Sequence, residues 1–80
     1  MSDGRAHAPL RWQTVVRADD VRIEQALARN NSWYLVVPAG NVYELRYATQ
    51  SANALITIEP SVDAAKAGAE AHADRYDTRA

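Results

Sequence analysis

A chain of 80 residues with no cysteine holds one domain with a modest core, burying roughly 60% of its unfolded surface, and has neither disulfides nor thiolate metal ligation to reinforce it. Nine basic and ten acidic side chains, interspersed to a net charge of −1, argue against bulk attraction to nucleic acid or anionic lipid. The longest apolar run, WYLVV at 33–37, is too short to span a bilayer, and "MSDGRAHAPL" contains no apolar h-region, so the expected setting is cytoplasmic with no membrane partner.

Residues 1–9 carry Gly4, Pro9 and small or polar side chains without periodicity and read as a flexible lead-in. "WQTVVR" (12–17) and "VRIEQAL" (21–27) follow as two short runs around Ala18-Asp19-Asp20, whose carboxylates favour turns by hydrogen-bonding nearby backbone. Val21, Ile23 and Leu27 keep a period of two, so the pair reads as a hairpin. The competing reading is a short helix through Ala28, capped by Asp19 or Asp20 and stopped by Asn30-Asn31. Asn30-Asn31-Ser32 matches a glycosylation sequon and is read as a turn.

"WYLVVPAGNVYELRY" (33–47) is the clearest hairpin. Val37-Pro38-Ala39-Gly40 fits a three-residue loop, with φ preset at Pro38 and Gly40 in the left-handed conformation of a bulge. That loop pairs Leu35 with Tyr43 and Trp33 with Leu45. Trp33, Leu35, Val37, Tyr43, Leu45 and Tyr47 then share the core face, while Tyr34, Val36, Val42, Glu44 and Arg46 share the other. A two-residue Ala39-Gly40 loop would instead set Leu35 and Trp33 opposite Glu44 and Arg46, scattering charge over the apolar face, so the first register is preferred.

"TQSAN" (49–53) is a polar loop, and "ALITIE" (54–59) alternates as a further antiparallel strand that ends at Pro60. Ser61 stands at an N-cap position, Asp63 complements the helix dipole, and "VDAAKAGAEAHADRY" (62–76) carries Val62, Ala65, Ala69, Ala73 and Tyr76 on one stripe. Gly68 costs the helix about 1 kcal/mol against Ala, which close packing on the sheet would offset. The expected architecture is α+β: an antiparallel β-meander of about four to five strands packed against one C-terminal helix, with the domain at 10–77 and a tail at 78–80.

A Trp/Tyr-containing meander followed by "SVDAAKAGAEAH" resembles, over residues 33–73, small uncharacterised proteins of phages and actinobacteria that end in S-x-x-x-A-K-x-x-A-E. The matching positions are Ser61, Ala65, Lys66, Ala69 and Glu70. The layout is also similar to integrase arm-binding and double-stranded-RNA-binding-like domains, a resemblance that implies nucleic-acid contact through basic sheet or helix positions. Inside this helix the basic residues are Lys66 and Arg75, set among Asp63, Glu70 and Asp74.

No spacing of ligands suggests a metal or cofactor: His7 lies in the lead-in, and His72 reads as a solvated helix histidine. Ser32, Ser51 and Ser61 occupy turn or cap positions without a neighbouring His and acid. The three glycines form no phosphate-cradling loop, and Asp19-Asp20 is explained by a turn, so no enzyme is expected. The expected role is a small non-catalytic binding or accessory protein, phage-associated, that meets a host or self protein partner through Tyr34, Val36, Val42, Glu44 and Arg46. A second route to a homodimer is pairing through an edge strand. The alternative is a small nucleic-acid-binding domain in which Arg11, Arg22, Arg29 and Arg46 surround a stacking Tyr34.

Overall fold

The computed structural model describes residues 10–28 and 31–76. The lead-in at 1–9 with His7, the Arg29-Asn30 part of the sequon segment, the tail at 77–80 and the side chain of Tyr76 lie outside the described residues. Five strands follow in order, β1 (Trp12–Val16), β2 (Arg22–Leu27), β3 (Trp33–Ala39), β4 (Val42–Ala48) and β5 (Asn53–Glu59), before one helix, α1 (Val62–Tyr76). Each strand pairs antiparallel with its sequence neighbour, so the sheet order is β1-β2-β3-β4-β5, an α+β meander.

The strand reading of 22–27 wins over the helix because the preceding turn is tied as a reversal. Arg17 N donates to Val21 O at 2.9 Å, and Asp20 N donates to Arg17 O at 2.9 Å. The Asp19 carboxylate accepts from Val21 N and from the Arg17 guanidinium. Asp20 takes a φ of 65°, which Asp tolerates better than most residues. Arg17 and its hydrogen bond hold the Asp19 carboxyl below its ordinary range.

At the central hairpin the structure corrects the expected register. The reversal is made by Gly40 and Asn41 alone, with Ala39 opposite Val42, Val36 opposite Leu45 and Tyr34 opposite Tyr47. Gly40 has a φ of 67° and Asn41 is not among the positive-φ residues, the pattern of a type II′ turn with glycine first. Pro38 fits this register. A two-residue turn is closed by a hydrogen-bonded pair, so Pro38, one step along, points its missing N–H away from β4. On that side β2 pairing stops at Glu24↔Val36, so the missing donor breaks no ladder.

The core therefore gathers Tyr34, Val36 and Leu45 from the sheet with Ala65, Ala69 and Ala73 from α1, all fully buried or nearly so. Burial of each of the three large side chains is worth roughly 1.5–3 kcal/mol relative to exposure. Leu10, Trp12, Tyr43, Tyr47, Ile56 and Val62 pack around them. Ser61 caps the helix as expected, its Oγ accepting from Ala64 N at 3.1 Å. Gly68 faces the sheet: a Cβ there would meet Leu45 Cδ2 at 3.4 Å. The alanine stripe thus brings α1 close, and the aromatic side chains below it fill the space that remains.

Candidate interaction face

The helix covers one face of the sheet, and among the described residues no element covers the other. The register fixes what that second face displays, because residues directly opposite in neighbouring strands share a face. One row across the sheet runs Gln25, Leu35, Arg46, Leu55. The next runs Val37, Glu44, Ile58, with the Val15–Ile23 pair of β1 and β2 at the same level of the sheet. A third runs Leu27, Trp33, Ala48, Asn53. Leu55 is 47% and Ile58 54% exposed, whereas Trp33, Leu35, Val37 and Val42 are half-buried.

Two charges stand in the middle of this apolar surface. Arg46 Nη1 donates to Glu44 Oε1 at 2.8 Å, its Nε donates to Asn53 Oδ1 at 2.6 Å, and its Nη2 donates to Asn53 O at 3.3 Å. Both side chains of the ion pair are about 30% exposed or less. Three donors of one guanidinium are therefore committed to fixed acceptors, which orders the pair on a rigid strand. In β5, Thr57 is opposite Leu45 and Leu55 opposite Arg46, so Ile56 is the extra residue of a bulge. The bulge turns Ile56 toward the helix-side core and leaves Leu55 and Ile58 on the open face.

Of the residues expected to form a binding surface, the structure keeps Val42, Glu44 and Arg46 together on the open face and separates Tyr34 and Val36 from them. Tyr34 is 0% and Val36 1% exposed, both beneath α1. This corrects the face assignment of β3. Its run Trp33–Val37 is apolar at every position, so alternation cannot say which set points inward, and the turn decides. Trp33, Leu35 and Val37, expected in the core with Tyr43, Leu45 and Tyr47, are the ones on the open face. Buried Tyr34 is not placed to stack on a base, and Arg29 lies outside the described residues.

A second correction concerns His72, which is not a solvated helix residue. It is half-buried against the sheet, where Tyr34 Oη and His72 Nδ1 share a hydrogen bond of 2.6 Å. The rings of Tyr34, Tyr47 and His72 stand 5.1 to 5.7 Å apart in tilted and edge-on arrangements, favourable for aromatic contact. The sequence signal was present: His72 lies three and seven residues after the buried Ala69 and Ala65, on the same helical face. On the same face, toward the β1 edge of the sheet, Lys66 Nζ lies 3.1 Å from Glu24 Oε1 and 5.5 Å from the Trp12 ring. Thr14 donates to Glu24 at 2.6 Å, and this bond, with Lys66, holds the Glu24 carboxyl below its ordinary value.

A cleft of about 380 Å³ opens on the helix side between Val21, Val36, Pro38, Tyr43 and Val62. Its charged members are Arg22 and Glu24, and Glu24 is already engaged by Thr14 and Lys66. Among the described residues no cluster of three or more His, Asp or Glu side chains is placed to hold a metal ion, and no helix is long and apolar enough to cross a membrane. Compared with protein-family models, curated proteins and solved structures, the chain finds no match.

Proposed function

We propose that this protein is a non-catalytic interaction module, a phage-associated accessory protein of the cytoplasm, that binds a protein partner through the uncovered face of its sheet. The observation that carries the reading is the contrast between the two faces. One is sealed by α1 over Tyr34, Val36 and Leu45; the other presents Trp33, Leu35, Val37, Val42, Leu55 and Ile58 around a single ordered ion pair. An exposed apolar patch of that kind, with an ordered polar pair set within it on a rigid sheet, is what protein interfaces use. The phage and cytoplasmic elements rest on the resemblance of the helix sequence and on a cysteine-free chain.

The nucleic-acid alternative would need cations free to meet phosphate. Among the described strand residues the arginine on the open face is Arg46, and three of its five N–H donors are engaged by Glu44 and Asn53, which favours the protein partner. A photo-crosslinking residue at position 55 in the source cell tests the reading against one at position 71, an exposed site on the outer side of α1. Protein adducts from position 55 and none from position 71 are expected. Equal adducts, or none from position 55, would reject the face. Binding to duplex or single-stranded DNA that weakens steeply with salt would favour the alternative instead.

A further inference from the structure

We infer that the partner of the open face is a second copy of this chain, packed sheet on sheet about a two-fold axis; this rests on the interaction reading above and names its occupant. Two adjacent rows of the open face are self-complementary. Leu35, Arg46 and Leu55 form one row, and Val37, Glu44 and Ile58 form the next, from the same three strands in the same order. A two-fold axis lying in the interface, perpendicular to the strands and passing between these rows at the level of Leu45, exchanges one row for the other. Each Glu44 then meets the Arg46 of the other copy, each Leu35 meets Val37, and each Leu55 meets Ile58.

Over β3, β4 and β5 every apolar residue of the two rows is thereby set over an apolar one and every charge over its opposite, while toward the β1 edge Gln25 and Gln13 fall over Ile23 and Val15. An isologous interface requires that matching, and an unrelated partner would have no reason to produce it within one chain. The charges are also suited to the exchange. Glu44 and Arg46 already sit 2.8 Å apart on one strand with part of each side chain exposed, so a second pair across the axis completes a four-membered alternating network and leaves no charge buried without a partner.

The dimensions fit as well. Five strands about 4.8 Å apart, of five to seven residues at about 3.3 Å each, give a face on the order of 24 by 20 Å. That plane is about 480 Å², and side-chain relief enlarges its accessible area toward the roughly 600 Å² per partner at the lower end of specific interfaces. Aligned packing at about −30°, with the sheets about 10 Å apart, is the usual geometry for two antiparallel sheets meeting on apolar faces.

The test uses charge exchange with sedimentation velocity from about 1 to 200 µM, far-UV circular dichroism and thermal melts confirming that each variant is folded. The wild-type protein is expected to be dimeric at the upper concentrations. Glu44→Arg sets two arginines against two across the axis, and Arg46→Glu sets two glutamates against two, so each alone is expected to self-associate at least tenfold more weakly. Mixed one to one, they are expected to recover a heterodimer at least as tight as wild type, an outcome that loss of fold or of general stickiness cannot produce. A wild-type chain that stays monomeric to 200 µM, or a mixture no tighter than its components, overturns the dimer. The crosslinking at position 55 separates this failure from the broader one: adducts to another protein would leave the face an interface with a different occupant, and no adducts would remove both.

Discussion

Tyr34 of β3 and His72 of α1 share a 2.6 Å hydrogen bond across the sheet–helix boundary. Tyr34 is fully buried there. Tyr34→Phe keeps the ring and removes the hydroxyl, so a loss of about 1 kcal/mol is expected. Tyr34→Ala empties the space under the helix and is expected to lose about 3–5 kcal/mol, a large part of the stability of a domain of this size. Urea denaturation followed by circular dichroism measures both. Were Tyr34→Ala to cost under about 1 kcal/mol, the ring would not be in the core.

Gly68 stands over Leu45 with just enough room for a methyl group, the contact being 3.4 Å. Gly68→Ala is therefore expected to stabilise by up to about 1 kcal/mol, as the gain in helix propensity outweighs an ordinary van der Waals contact. Gly68→Leu would wedge α1 off the sheet at a cost of about 1–3 kcal/mol. Opposite signs for the two substitutions in thermal melts are the signature of a close but not overpacked approach.

Gly40 has open space where a Cβ would go, so its requirement for glycine is conformational. Its φ of 67° makes Gly40→Ala cost about 1–2 kcal/mol, and Gly40→Asn less, since Asn enters the left-handed region more readily. If Gly40→Ala is neutral by denaturation, the reversal lies at other residues and the register changes with it.

The Glu24 carboxyl is held below its ordinary value of 4.5 by the Thr14 hydroxyl first and by Lys66 second. A carboxyl depressed in the native state contributes stability that is fully present above its unfolded value and is lost as pH falls through the native one. Stability is thus expected to fall from near pH 5 downward through this group, and Thr14→Val to flatten that part of the profile with little change at pH 7 beyond a constant offset. An unchanged acid limb in Thr14→Val would show that the Thr14–Glu24 bond does not persist in solution.

Much of this architecture was legible because local chemistry and periodicity agreed. Pro60, Ser61 and Asp63 announce the helix start, and the alanines at 65, 69 and 73 announce its buried face, all of which the structure shows. The paired aspartates at 19 and 20 likewise mark a turn that fixes β2 as a strand. The face of β3 was not legible, since five consecutive apolar residues fit either side of a sheet equally well. A three-residue loop at Pro38-Ala39-Gly40 and a two-residue reversal at Gly40-Asn41 differ by one residue in loop length, and that difference moves Trp33 and Tyr34 to opposite faces. His72 escaped notice for a related reason: a polar residue on a small-residue stripe reads as solvated until the tyrosine that receives it is known to point inward.

The cysteine-free chain allows the pairing of the open faces to be measured by thiol labelling on a single introduced cysteine. Leu55→Cys lies on the open face and Ala71→Cys on the outer side of α1, both at exposed positions. From about 1 to 200 µM protein, Leu55→Cys is predicted to become progressively protected from a thiol reagent as the faces close on each other, while Ala71→Cys reacts at one rate throughout. Labelling of Leu55→Cys at the same rate across the whole range would contradict the pairing of the open faces.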